Sequence, residues 1–171
     1  MKKLSLSTAV IAVVLAFSIP SANAVGKGES APAGQSAETV TAFINHIDHK
    51  EGKLYLTVDD IQWFEGAAAN EAFLENEPYS GMDGAPDGYY IVNSDNQTRA
   101  VEIDPDAQVE MQIYDQDGVL EDLQPVFNQA IPLEKFNAIF GDKHIVDLSG
   151  FPYHLTIKDG KVVRIVQQYI P

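Results

Sequence analysis

The chain has 171 residues, 25 of them acidic against 11 basic, giving a net charge of −14 at pH 7, and it contains no cysteine. These numbers exclude a disulfide framework and a lipid-modified cysteine, and they argue against nucleic acid or an anionic membrane as partner, since both are bound through basic charge. Plain solubility accounts for so acidic a surface, and cation binding or a basic partner protein is also compatible with it.

Met1-Lys2-Lys3 precedes an apolar stretch, Ala9 to Phe17, that falls short of the roughly 20 residues needed to cross a bilayer of ~30 Å. With Pro20 and Ala22-Asn23-Ala24 after it, this is the pattern of a signal peptide over residues 1–24, cut before Val25. The expected product is exported, periplasmic or extracellular. Cleavage removes two lysines and no acid, moving the charge from −14 to −16 and leaving 147 of the 171 residues. That length suffices for one domain burying about 68–70% of its unfolded surface without covalent staples. No second apolar stretch suggests a membrane span.

Val25 to Ala37 holds almost nothing large and apolar and reads as a flexible leader, because such a segment cannot offset its ordering entropy. A single β-rich domain is expected over residues 38–171. Its first strand runs through Val40, Phe43, Ile44 and Ile47. A four-residue turn, His49-Lys50-Glu51-Gly52, leads to a second strand through Leu54 to Val58, forming an antiparallel hairpin. Glu65 to Glu75 changes to helical period, with Ala69, Ala72 and Phe73 on one face. Pro78 to Gly88 has loop composition, and Tyr89 to Asn93 resumes the strand pattern.

Arg99 to Ile103 and Val109 to Tyr114 predict two further strands separated by a turn at Asp104-Pro105-Asp106. Leu120 to Phe127 is ambiguous, because Pro125 interrupts any helical ladder. Pro132 opens a second helix with Leu133, Phe136 and Phe140 on one face, and Gly141 closes it. The chain ends in a hairpin around Lys158-Asp159-Gly160. A bulged turn there would face Ile157 with Lys161, Leu155 with Val163 and Tyr153 with Ile165, and is preferred to a two-residue turn that would put Ile157 opposite Val162.

Six or seven strands and two short helices, with a hairpin at each end, define a β-rich α+β chain. The leading architecture is a small antiparallel barrel of the oligonucleotide/oligosaccharide-binding (OB) type, with a helix-covered sheet as the alternative.

Trp63, Tyr89, Tyr90 and Tyr153 are the candidate ligand-binding aromatics, although core packing competes for each of them; in a strand the rings of Tyr89 and Tyr90 must face opposite ways. Asp115 and Asp117, before Gly118, Glu121 and Asp122, are the candidate metal ligands and would suit calcium, but an ordinary Asp-Gly turn explains them too. His46, Asp48 and His49 crowd one turn, yet only His46 and Asp48 would share a face. Ser149 and His154 lie close in sequence, outside any recognisable nucleophile motif, and no phosphate-cradling glycine pattern occurs.

The stretches Tyr55 to Gly66, Asp87 to Asn93 and Tyr153 to Pro171 resemble exported bacterial proteins of unknown function, a resemblance that implies no cofactor, activity or catalytic residue. The favoured expectation is a non-enzymatic extracytoplasmic binding module for a protein or a saccharide. Its competitors are a small hydrolase acting through two carboxylates, one with a raised pKa, and a structural component of the envelope.

Overall fold

The computed structural model describes residues 36–120 and 123–170. The expected signal peptide and all but the last two residues of the expected leader lie outside the described residues.

Seven strands and two helices follow in the order β1 (Glu38–Lys50), β2 (Lys53–Glu65), α1 (Gly66–Asn76), β3 (Tyr89–Val92), β4 (Thr98–Met111), β5 (Gln129–Ile131), α2 (Leu133–Phe140), β6 (Pro152–Lys158) and β7 (Lys161–Gln167). β1 pairs with β2 and β6, β2 with β4, and β6 with β7, all antiparallel, while β4 runs parallel to β7. The circuit β1-β2-β4-β7-β6 therefore returns to β1 as a closed five-stranded barrel, and its one parallel pair and a helix between β4 and β6 make it OB-like. β3 and β5 are short additions at the margins of β2 and β4.

Alternation explains the interior. Ala42, Ile44, Leu56, Val58, Val101, Ile103, Val109, Leu155, Val162 and Ile165 point inward, each with less than a tenth of its surface exposed. Phe136 and Phe140 of α2 plug one end of this core, packing on each other and on Tyr153 with tilted or edge-on rings at centroid distances of 5.4 to 6.3 Å. In α1, Ala69, Ala72 and Phe73 are buried as their spacing predicts, and Phe73 meets Tyr90 edge-on.

Local irregularities keep apolar positions inside. Asp104 to Ala107 form one wide bulge, so the two strands expected on either side of a turn are a single β4 whose Ile103 and Val109 both face the core. The terminal hairpin also differs from expectation. Asp159 and Gly160 have φ of 52° and 78°, a two-residue turn that sets Ile157 opposite Val162 instead of the expected Lys161. The bulge sits further along, at Val163, and brings Leu155 opposite Ile165. Val162 and Ile165 are three apart, and only an extra residue between them lets both point inward. Pro132 precedes α2 as its cap rather than opening it, and Gly141 closes it with φ of −82°.

The first hairpin is likewise tighter than the expected four-residue connection, because Lys50 pairs with Lys53 across Glu51-Gly52. Glu51 stands at φ 52°, a left-handed position where a Cβ costs about 1–2 kcal/mol. Glu51→Asn, which tolerates that conformation and restores the preferred Asn-Gly pair, is expected to raise stability by about 0.5–1 kcal/mol. The urea midpoint checks this, and an unchanged or lowered midpoint contradicts it.

Candidate functional site

Barrel closure brings the two turns together. Tyr55 of β2 lies opposite Glu102 of β4, and Glu102 lies opposite Lys161 of β7, so three neighbouring strands present Lys53, Glu102 and Lys161 on the outer surface. The Glu102 carboxylate accepts from Lys53 Nζ through Oε2 and pairs with Lys161 Nζ through Oε1, each at 2.9 Å. Its side chain is only 17% exposed, against about half for either lysine, so it forms the inner member of the bridge. The Lys53 hydrogen bond and then that of Lys161 hold Glu102 below the usual carboxylate range, and the same contact raises Lys53 above the usual ammonium value.

Beside this bridge opens a cleft of about 520 Å³. Leu54, Ile103 and Leu133 supply its apolar lining, while the bulged Pro105 and the first turn of α2 bound it. Asn137 on α2 donates to His49 Nε2 at 3.2 Å, tying the helix to the first hairpin across the cleft. Mostly apolar walls with a few converging polar groups are the usual makeup of a ligand site.

A second cleft, of about 410 Å³, lies at the other end of β7, lined by Gln112, Phe127, Asn128, Val166, Gln167, Gln168 and Tyr169. Gln167 is buried, and its Oε1 accepts from the backbone N–H groups of Gln112 and Ile113 at 2.8 and 2.9 Å, fixing the chain as it leaves β4.

The sequence-nominated aromatics do not form one patch. Trp63 and Tyr89 stack at 4.8 Å with their planes 15° apart, and Trp63 Nε1 donates to Glu65 at 3.0 Å. Tyr90 faces the other side of the same ribbon, against Phe73 of α1, as alternation requires. Tyr153 has no exposed surface; burial pushes its hydroxyl pKa upward, and the proton it keeps is donated to the Leu148 carbonyl at 2.9 Å. It is a core residue in this fold, because Phe136 and Phe140 cover it.

Asp115 and Asp117 spend oxygens on their own turn. Asp115 Oδ1 accepts from the N–H groups of Asp117 and Gly118, and Asp117 Oδ1 from Val119. Glu121 and Asp122 lie outside the described residues. Among the described residues, no group of three or more histidines and carboxylates is placed to hold a metal ion. His46 meets Asp48 at 3.1 Å while His49 turns to α2.

Ser149 and His154 do not meet. His154 bridges Thr41 and Gln168, each at 3.0 Å, whereas Ser149 Oγ donates to Asp147 at 2.6 Å and lies 3.2 Å from Lys143 Nζ. Asp147 caps the short 3₁₀ helix Leu148–Gly150, and Lys143, four residues earlier, lowers the Asp147 pKa. The Ser149 hydroxyl is directed at Asp147, which also accepts the Ser149 backbone N–H at the start of the 3₁₀ helix, so the cluster is a capping device.

Sequence reasoning missed both clefts. The lysines, Glu102 and the amide residues carry no motif, and only the strand register brings them together. A comparison of the chain with protein-family models, curated protein sequences and solved structures finds no match. The class is therefore set by the fold alone: a closed OB-like barrel.

The two lysine contacts give a pH signature. Because the Glu102 pKa is lower in the folded state, its stabilisation is fully present above the unfolded value near 4.5 and is lost as pH falls through the folded value. Lys53 is shifted upward, so its share is present below about 10.5 and is lost as pH rises through the folded value. The stability gap between the natural protein and Glu102→Gln is therefore expected to be flat from pH 6 to 9 and to shrink toward pH 3. Chemical denaturation across that range checks it, and a gap that widens in acid contradicts it.

Proposed function

We propose that the protein works outside the cytoplasm as a non-enzymatic binding module, holding a ligand in the cleft between its two turns. One observation carries this reading: an apolar hollow of about 520 Å³ beside a pair of ammonium groups that share a single carboxylate. Each ammonium keeps further N–H donors beyond the one directed at Glu102. Between a protein and a saccharide, a protein segment suits this cleft better, since its described lining residues include no phenylalanine, tyrosine or tryptophan for a sugar ring to stack on. The fitting segment offers an apolar side chain to Leu54, Ile103 and Leu133 and a carboxylate to Lys53 and Lys161. The hydrolase alternative has weaker support, because Glu102 is shifted down, opposite to what a general acid at neutral pH needs. Export rests on the pattern of residues 1–24.

Anilinonaphthalene sulfonate, which joins an apolar body to one anion, serves as the probe. The natural protein is expected to bind one molecule saturably. N-acetyl-leucyl-leucine is expected to compete, and its amide to compete less well. Lys161→Glu and Leu133→Asp, with folding verified by circular dichroism, are expected to weaken binding about tenfold or more. Absence of saturable binding, or equal competition by acid and amide, overturns the reading.

A further inference from the structure

The cleft at the far end of β7 has a chemistry unlike the rest of this acidic chain. Among its described lining residues are four carboxamides, Gln112, Asn128, Gln167 and Gln168, two aromatic rings, Phe127 and Tyr169, and no charged side chain. We propose that this cleft is a second binding site, distinct from the one between the turns, and that its ligand is a neutral saccharide.

The rings come first. Phe127 is 61% exposed, and it meets Tyr169 at 5.6 Å with the planes 87° apart, so the pair presents a face and an edge at right angles. An exposed phenylalanine held by an aromatic neighbour is a platform for the C–H face of a pyranose. Val119, Leu120 and Val126 are also exposed in the same connection between β4 and β5, so the apolar exposure is regional.

The amides are held in position by the protein and retain donors. Gln112 accepts the Asn128 backbone N–H at 2.9 Å and directs one Nε2 hydrogen at the Asn128 side-chain carbonyl, 3.4 Å away. Gln168 accepts from His154 and gives one Nε2 hydrogen to the Tyr169 carbonyl at 2.9 Å. A carboxamide nitrogen has two hydrogens; buried Gln112 serves to hold Asn128, and half-buried Gln168 has a second N–H beyond the one given to Tyr169. Planar groups that both donate and accept match sugar hydroxyls, which do the same. The described lining residues carry no charge, so they take a neutral ligand without desolvating an ion, whereas an anionic sugar would find no cation among them to pair with.

Asn128 adds a positional argument. Its φ is 57°, a left-handed conformation that asparagine and glycine tolerate best. It turns the chain out of the exposed connection and into β5, placing its amide beside Phe127. Asn128→Gly keeps that backbone and removes the amide.

The test is a ¹⁵N nuclear magnetic resonance titration of the exported form with chitotetraose and with cellotetraose. At least one is expected to bind with a Kd below about 1 mM, shifting Phe127, Asn128, Gln168 and Tyr169. Phe127→Ala and Asn128→Gly are each expected to weaken it about tenfold, and Lys161→Glu, in the other cleft, to leave it unchanged. No perturbation of these residues by either tetrasaccharide overturns the proposal, as does binding that survives both substitutions. Loss of the anilinonaphthalene sulfonate site alone leaves this result intact, so the two readings fail separately.

Discussion

A five-stranded sheet becomes a barrel only when some strand holds two neighbours that are far apart in sequence, and here that strand is β4. Thr98 to Glu102 run antiparallel to β2, and from Glu102 onward β4 runs parallel to β7, with a bulge of four residues interrupting that pairing between Ile103 and Gln108. Glu102 is thus paired on both sides, and the bulge beyond it bends β4 while letting the pairing with β7 resume at Gln108. Because the four residues change no parity, Val101, Ile103, Val109 and Met111 all still face the core. The same bulge carries Pro105 to the wall of the first cleft, so one local device bends the strand and shapes its surface.

Glu102 stands at the point where the three strands of that closure meet. It takes a lysine from the strand on each side and sits deeper in the surface than either of them. Tyr153 plays the corresponding part inside. Its ring packs under α2, its hydroxyl satisfies the Leu148 carbonyl, and Gln167 secures the exit of β4 nearby. Helix, barrel and C-terminal strand are thus joined by one polar seam within an apolar core, whose members are hydrogen-bonded to the backbone of other elements.

β7 links the two clefts. Lys161 at its start belongs to the cleft between the turns, and Val166 and Gln167 at its end to the amide cleft, roughly 20 Å apart at about 3.3 Å per residue. A strand clamped on one side by β6 and on the other by β4 is a rigid spacer, so the two surfaces are positioned by the barrel rather than by their loops.

Much of this was legible in the residues. The alternation through Leu54 to Val58 and Tyr153 to Ile157, the apolar face of α2, and the opposed rings of Tyr89 and Tyr90 follow from strand and helix periodicity, which are local properties. Turn length and bulge position were not legible, because Glu51 and Val163 take their conformations from the need to keep distant apolar residues inward. The clefts were less legible still. Lys53, Glu102 and Lys161 are ordinary surface residues in sequence, as are Gln112, Asn128 and Gln168. They become sites only because strand pairing across dozens of residues sets them side by side, and that pairing is decided by the closure of the whole barrel. The sequence by itself determined which segments are strands and which faces are apolar; the tertiary structure alone decided which side chains meet.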